Sequence, residues 1–139
     1  MKKIKSILLV DDTEAINYLH QIIIEKSGLV ESCIAKTSGE AALEYLSTKL
    51  DGKYPKPQAL FLDINMPRMN GWEFLEEYFK LPIGQQADVI VCMLTASLNL
   101  DDKERAEKLL GKNHFANKPL TVEKLEEILK RHFPENFSS

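Results

Sequence analysis

Short runs of mostly apolar residues alternate along the chain with segments whose apolar residues recur at helical spacing. Unbroken apolar runs are typical of strands buried on both faces, because a sheet covered by helices on both sides has no polar face. The predicted strands are residues 5–10, 30–35, 59–63, 87–94 and 114–117. The predicted helices begin near residues 13, 38, 72, 101 and 121 and end near residues 28, 50, 81, 110 and 132.

The alternation of strand and helix predicts an α/β fold, because right-handed crossovers make consecutive strands parallel. A doubly wound, five-stranded parallel sheet of strand order 2-1-3-4-5 with five helices, the flavodoxin-like arrangement, is the obvious candidate. The length of 139 residues indicates one domain, with a core of about residues 5–132 and a tail of residues 133–139. The proline-containing segment 51–58 is expected to be a surface loop, and we expect no output domain after the last helix.

Composition and charge exclude several classes of protein. Hydrophobic residues make up 44% of the chain and charged residues 28%, which are ordinary globular values. The net charge of -3 predicts no direct nucleic-acid binding. The apolar run near the N-terminus is too short for a signal peptide, and no run is long enough to span a membrane, so we expect a cytoplasmic protein. Cys33 and Cys92 lack metal-ligand spacing and are expected to be buried thiols.

Polar residues follow four of the predicted strands at the point where each strand ends. Asp11 and Asp12 come after the first strand, Asp63 after the third, Thr95 after the fourth and Lys118 after the fifth. The carboxyl ends of parallel strands meet at one edge of the sheet, where ligands bind in folds of this class. We therefore expect these side chains to form one site.

The chemistry of this set indicates phosphoryl transfer to an aspartate. Three crowded carboxylates repel one another unless a cation joins them, and oxygen ligands without His or Cys favour Mg²⁺. With Mg²⁺ and Lys118 the formal charges cancel. Aspartate is a known nucleophile in phosphoryl transfer. The expected product is an aspartyl phosphate at Asp63, with Thr95 donating to one phosphoryl oxygen and Lys118 pairing with another.

The same residues carry a family resemblance. Asp11-Asp12, the stretch DINMPRMNG from Asp63, Thr95-Ala96 and Lys118-Pro119 resemble, in order, the motifs of the receiver domain of two-component response regulators, the CheY-like family. The resemblance covers about residues 5–132. It implies a stand-alone response regulator that accepts a phosphoryl group on Asp63 from a histidine kinase or a phosphotransfer protein. It also implies a protein that is not an enzyme, apart from catalysing its own phosphorylation and dephosphorylation.

The resemblance also implies a role for each residue of the site. Asp12 would be a direct Mg²⁺ ligand beside Asp63, Asp11 a ligand through water, and Asn65 a ligand through its backbone carbonyl. The switch and phosphate-binding residues would be Thr95 as the switch hydroxyl, Phe115 as the switch aromatic and Lys118 as the phosphate-pairing lysine. The Lys118-Pro119 bond resembles the family's cis peptide. The fourth helix, fifth strand and fifth helix would form the surface that a downstream protein binds.

Other interpretations stay open from the residues alone. Asp12 could be only a helix cap, Thr95 a strand-end hydroxyl and Lys118 a solvated charge. A Mg²⁺-dependent small-molecule phosphatase or phosphotransferase with an aspartate nucleophile is the main alternative function. A docking module that never carries phosphate and a flavin-binding protein of the same fold fit the sequence less well. Three histidines are interpreted as surface or satisfied residues: His20, His114 and His132.

Overall fold

A single parallel sheet forms the centre of the protein. The computed structural model describes residues 1–86, 90–96 and 99–138, with the backbone alone for residues 90–92. The strands are β1 (Ile4–Val10), β2 (Val30–Lys36), β3 (Ala59–Asp63), β4 (Ile90–Thr95) and β5 (Phe115–Asn117). Their order is β2-β1-β3-β4-β5, which confirms the predicted topology. The predicted start of the fourth strand, residues 87–89, lies outside the described residues.

Helices connect the strands and cover both faces of the sheet. The described α-helices are α1 (Glu14–Ser27), α2 (Gly39–Leu46), α3 (Gly71–Tyr78), α4 (Leu100–Leu110), α5 (Val122–His132) and α6 (Pro134–Phe137). A short 3₁₀ helix, Ile83–Gln85, follows α3. Five of the α-helices correspond to the predicted ones. The sixth, α6, was not predicted and lies in the segment interpreted as a tail.

Two hydrophobic cores lie on opposite faces of the sheet, because successive residues of a strand point to opposite sides. Ile7 and Leu9 of β1 point to the core that α1 and α5 cover. Leu8 and Val10 of the same strand point to the core that α2, α3 and α4 cover. All five residues of β3 are buried, as expected for a central strand between two layers of helices. This burial leaves only the strand ends for polar side chains.

Polar side chains cap four of the described helices, α2, α3, α4 and α5. The hydroxyls of Ser38 and Thr121 each accept a hydrogen bond from the backbone amide three residues further on. Asn70 and Glu73 form a capping box at the start of α3. Thr13 occupies the cap position of α1, but its side chain makes no capping hydrogen bond.

Two helices are shorter than their apolar spacing predicts. The second helix was expected to reach Leu50, but α2 ends at Leu46, and Leu50 is exposed in an isolated bridge with Lys53. The third helix was expected to reach Leu81, but α3 ends at Tyr78. The amides of Lys80 and Leu81 bond to carbonyls three residues back, which tightens the chain out of the α-helix before Pro82.

The buried face of α1 differs from the apolar face that the sequence predicts. Leu19, one of the apolar residues that recur at helical spacing in this segment, is 39% exposed. Asn17, His20 and Ile24 are the buried residues of the helix, at i, i+3 and i+7 spacing. The helix is therefore rotated so that two polar residues face the sheet, where they bond to backbone groups described below.

The segment after α5 is part of the folded unit. Phe133 is 3% exposed and belongs to the core beneath α1 and α5. In α6, the carbonyl of Asn136 accepts a 2.8 Å hydrogen bond from the Lys2 amide, which ties the two ends of the chain together. Among the described residues, no helix has the length and apolar character that crossing a lipid bilayer requires.

Candidate phosphoryl-transfer and metal site

The strand register brings the predicted site residues to one edge of the sheet. Val10, the last residue of β1, pairs with Leu62, so Asp11 emerges beside Asp63. On the other side of β3, Asp63 pairs with Leu94, and Thr95 pairs with Asn117. The amide of Lys118 donates a 2.7 Å hydrogen bond to the Thr95 carbonyl, which fixes the start of the loop after β5.

Three carboxylates converge at this edge. One oxygen from each of Asp11, Asp12 and Asp63 lies within 4.8 Å of the others. Asp11 and Asp63 are buried, with exposed fractions of 4% and 5%, whereas Asp12 is exposed. Two buried carboxylates side by side are unfavourable without a compensating cation. An all-oxygen donor set with one open side fits a hard divalent ion such as Mg²⁺.

Lys118 supplies the positive charge nearest to these carboxylates. Its ammonium nitrogen lies 3.0 Å from Oδ1 of Asp63 and also pairs with Oδ2 of Asp11. The side chain is 11% exposed, so the pairs are shielded from solvent. The formal charges of the three aspartates and one lysine sum to -2, which a divalent cation would balance. The peptide bond between Lys118 and Pro119 is cis, as the resemblance implies.

Burial and charge shift the pKa values of the two central groups. Burial raises the pKa of the Asp63 carboxyl above its ordinary value, and the Asp11 charge acts in the same direction. Lys118 and the Asn65 amide lower this pKa, but they do not cancel the effect of burial. Burial alone would lower the pKa of Lys118, but its bonds to Asp11 and Asp63 raise it. The lysine is therefore a cation that holds two carboxylates in place.

The loop between β3 and α3 is folded tightly against Asp63. The Gly71 amide donates a 2.8 Å hydrogen bond to the Ile64 carbonyl. A Cβ atom on Gly71 would lie 2.6 Å from the Asp63 carbonyl oxygen and 2.9 Å from the Ile64 Cα. Only glycine fits this close approach of two backbone segments. Within the loop Asn65 is exposed, and its backbone amide donates a hydrogen bond to the Asp63 carboxylate.

Thr95 and Phe115 lie on the same face of the sheet. Phe115 pairs with Met93, and Thr95 is two residues beyond Met93 on β4. All three side chains therefore point toward the core that α2, α3 and α4 cover. Thr95 is fully buried at the strand end. Phe115 lies on the edge strand β5 and is only half-buried. The structure thus brings together Asp11, Asp12, Asp63 and Lys118 and places Thr95 and Phe115 on the adjoining strands.

Two further residues near the site were missed by the apolar pattern. Asn17 donates hydrogen bonds to the carbonyls of Asp11, at 2.9 Å, and of Lys36, at 3.3 Å. His20, interpreted as a surface or satisfied residue, is 1% exposed, and its Nε2 accepts a 3.2 Å bond from the Leu120 amide. A polar pair at i, i+3 spacing on a helix that begins at the site is the only sequence signal for this arrangement.

Comparison with known proteins identifies the family that shares this site. Residues 7–130 match the family model described as the response regulator receiver domain. The chain is 36% identical over 101 residues to the response regulator Rcp1 of Synechocystis sp., a match that covers 70% of this chain and 66% of Rcp1. The chain therefore spans slightly less than two thirds of that relative.

Solved structures share the fold over nearly the full chain. A two component response regulator from Cytophaga hutchinsonii superposes with a TM-score of 0.79 and 33% identity, covering 94% of this chain and 97% of that chain. A response regulator receiver protein from Dyadobacter fermentans has a TM-score of 0.76 and 32% identity, covering 91% and 96% of the two chains.

Proposed function

The chain belongs to the response regulator receiver family, and on that premise we propose that Asp63 accepts a phosphoryl group from a histidine kinase or a phosphotransfer protein. Members of this family are phosphoryl-accepting signalling proteins. The observation that supports Asp63 as the acceptor is its position: a buried carboxylate at a strand end, beside Asp11 and 3.0 Å from the Lys118 ammonium. The family assignment disfavours the small-molecule phosphatase considered from the sequence.

The proposed step forms one bond and breaks one. An Asp63 carboxylate oxygen attacks phosphorus, a P–O bond forms, and the P–N bond of the donor's phosphohistidine breaks. The electron pair of that bond remains on the donor imidazole. Lys118 would pair with a phosphoryl oxygen, and its ammonium group, within hydrogen-bond distance of Asp63, supports this role. Thr95 would donate to another phosphoryl oxygen from the end of the adjacent strand.

Mg²⁺ is the cation that this donor set fits best. The carboxylates of Asp11, Asp12 and Asp63 and the backbone carbonyl of Asn65 would hold it, with Asp11 acting through water. Bound there, Mg²⁺ would neutralise charge that accumulates between the carboxylates and the transferring phosphoryl group. Before transfer, the chain's own contribution is to hold the acceptor carboxylate between Asp11 and Lys118.

The proposed output is a change in surface packing. A phosphoryl group adds oxygens that can bond to Thr95 and Lys118. If the Thr95 hydroxyl moves toward that group, space opens on the face where Phe115 is half-buried, and the aromatic ring can turn inward. Such a change would shift the population between two arrangements of α4, β5 and α5. A downstream protein would recognise the phosphorylated arrangement of that surface.

Several further properties remain proposals. We expect residues 1–139 to act as one receiver domain, which the single sheet with two cores supports. We expect catalysis to be limited to the chain's own phosphorylation and dephosphorylation. The cytoplasmic location stays a prediction from the sequence.

Intact-mass measurement with a small acyl phosphate and Mg²⁺ tests the proposal. The wild-type protein should gain the mass of one phosphoryl group, and the Asp63→Asn variant should gain none. Asp51→Asn is the matched control, because Asp51 is an exposed aspartate with a positive φ of 52°, a conformation that asparagine tolerates. No mass gain in the wild type, or an unchanged gain in Asp63→Asn, would refute the assignment.

A further inference from the structure

We propose that Asn17 and His20 are positioning residues that tie the loops bearing Asp11–Asp12 and Lys118 to α1, and that they thereby set the metal affinity and phosphorylation rate of the site. The inference rests on the proposed function of Asp63. It assigns a role to two buried polar residues that do not touch the reacting groups.

Asn17 joins the ends of two neighbouring strands. Its amide nitrogen donates to the Asp11 carbonyl at 2.9 Å and to the Lys36 carbonyl at 3.3 Å. The Lys36 carbonyl also accepts a 3.1 Å bond from the Asp11 amide. Asn17 therefore holds Asp11, the first of the two adjacent aspartates Asp11 and Asp12, at the point where β1 and β2 end.

The unfavourable burial of Asn17 indicates a role for its hydrogen bond to the Asp11 carbonyl, which we call the Asp11 anchor. The side chain is 4% exposed, and its Oδ1 has no hydrogen-bond partner among the described residues. A buried amide oxygen without a partner is unfavourable. An apolar residue would avoid that cost, but it would leave the Asp11 carbonyl without the donor that Asn17 supplies. The contact with the metal-binding loop is the feature that only the amide provides.

His20 holds the loop that carries Lys118, as Asn17 holds the end of β1. It lies one helical turn beyond Asn17 and is 1% exposed. Its Nε2 accepts a 3.2 Å hydrogen bond from the Leu120 amide, two residues after Lys118. Leu120 is itself buried in the core beneath α1 and α5, so the loop is fixed by both packing and this bond. The ring must carry its proton on Nδ1 to accept this bond.

One rigid helix thus connects the two loops whose side chains meet at Asp63. Through Asn17 it fixes the carboxylates of Asp11 and Asp12, and through His20 it fixes the segment that carries Lys118. Partners that orient metal ligands commonly contribute about 10-fold to 100-fold in metal affinity. We expect effects of that size for the Asp11 anchor. The hydrogen bond between His20 and the Leu120 amide, the Leu120 anchor, should instead change the phosphorylation rate at saturating Mg²⁺. It fixes the segment that carries Lys118.

Three variants and one control separate positioning from a general loss of stability. Asn17→Leu removes the donor at nearly the same size. His20→Leu removes the acceptor, whereas His20→Gln keeps an acceptor oxygen near the position of Nε2. Ile24→Val is the control, because Ile24 is a buried residue of the same helix, one turn beyond His20.

Calorimetric Mg²⁺ affinity and the rate of phosphorylation by an acyl phosphate are measured for each variant. Asn17→Leu should weaken Mg²⁺ binding about tenfold or more. His20→Leu should slow phosphorylation at saturating Mg²⁺ with little change in affinity, and His20→Gln should restore the rate. Ile24→Val should change neither quantity. Wild-type values in both leucine variants, or the same changes in Ile24→Val, would overturn the proposal.

Amide hydrogen exchange tests the anchors without phosphorylation and distinguishes their failure from that of the proposed function. In the wild type the Leu120 amide should be protected, and its exchange should be faster in His20→Leu but not in His20→Gln. Fast exchange at Leu120 in the wild type would overturn the role of His20 even if Asp63 is phosphorylated. Protected exchange in a protein that takes up no phosphoryl group would support the anchor and refute the function of Asp63.

Discussion

Burial and hydrogen bonding change the pKa values of Asp63 and Lys118, the two central groups of the site. Burial raises the pKa of the Asp63 carboxyl, whereas the hydrogen bonds of Lys118 to Asp11 and Asp63 raise the pKa of the ammonium. The site thus combines a carboxylate that is costly to leave unpaired with a lysine that remains charged. An added phosphoryl group would find a cation within 3.0 Å of its attachment point.

Cys33 shows the opposite outcome of burial, where the reactive form is suppressed. Burial raises the pKa of its thiol to about 12, so almost no thiolate is present at neutral pH. Cys33 was predicted to be buried, but it is only partly buried, and it packs against the core beneath α1 and α5. The side chain of Cys92, predicted to be similar, lies outside the described residues.

His20 makes the stability of the fold dependent on pH. Burial lowers its pKa, the Asp11 charge raises it and the Lys118 charge lowers it, with a net decrease from the ordinary value of about 6.5. The unfolded chain therefore takes up a proton at a higher pH than the folded one. The free energy of unfolding should fall as the pH drops below about 6.5, by at most about 1.4 kcal/mol per pH unit for one site.

Chemical denaturation of the wild type and His20→Gln between neutral and mildly acidic pH measures this effect. The variant should lose less stability on acidification. His132, whose pKa burial also lowers, contributes with the same sign and remains in both proteins, so the difference between them isolates His20. Parallel stability curves for the two proteins would contradict the assigned direction.

Where the strand order alone determines which residues lie together, the sequence is enough to predict the arrangement. Asp63, Thr95 and Lys118 were predictable as one site because any parallel sheet of this order brings its strand ends together. The face of α1 was not predictable from apolar spacing. Asn17 and His20 find partners in backbone groups 6 and 100 residues away in sequence. The i, i+3 spacing of these two polar residues marks them as a pair, but it does not reveal which backbone groups they bind.

Helix ends were also only partly predictable. The apolar residue Leu50 extends the helical spacing of α2, but the chain turns at Asp51 and Gly52, both with positive φ, and Leu50 remains in the solvent. The extra helix α6 has too few residues to be recognised by periodicity. It forms because Phe133 is buried and Asn136 bonds to the N-terminal segment.

The loop between β3 and α3 should be intolerant of any side chain at Gly71. In Gly71→Ala the new methyl group would meet backbone atoms of Asp63 and Ile64, which cannot move without displacing the strand end. We expect a loss of about 1–3 kcal/mol in unfolding free energy. The proposed phosphorylation of Asp63 should also slow, because the backbone of Asp63 would shift.

Gly84→Ala is the matched control for that variant. A Cβ on Gly84 would meet no atom within 4 Å. Its unfolding free energy should remain within about 0.5 kcal/mol of the wild type. Urea denaturation and acyl phosphate labelling of the two variants test the prediction, and equal behaviour of Gly71→Ala and Gly84→Ala would contradict it.

Across the molecule, two cores support one polar edge. The three aspartates and Lys118 carry a formal charge of -2 in a chain whose net charge is -3, so the site concentrates much of the excess negative charge. Relieving that charge should stabilise the entire fold, because a ligand that binds only the folded state raises its stability.

Thermal unfolding with and without Mg²⁺ measures this linkage. At a concentration ten times the dissociation constant, Mg²⁺ should raise the free energy of unfolding of the wild type by about 1.4 kcal/mol. The increase should shrink strongly in Asp12→Asn, because the proposed exposed ligand is lost while the buried carboxylates of Asp11 and Asp63 are kept. Asp101→Asn, also exposed but on α4, should retain the full increase. Stabilisation of equal size in both variants would place the metal elsewhere.

Reductive trapping of the phosphorylated protein tests most directly whether Asp63 is the acceptor. Borohydride converts an aspartyl phosphate to homoserine, and tandem mass spectrometry of peptides identifies the modified position. After reaction with an acyl phosphate and Mg²⁺, homoserine should be found at position 63 and should depend on Mg²⁺. Homoserine at position 11 or 12, or at no position in a protein that has gained phosphoryl mass, would contradict this assignment.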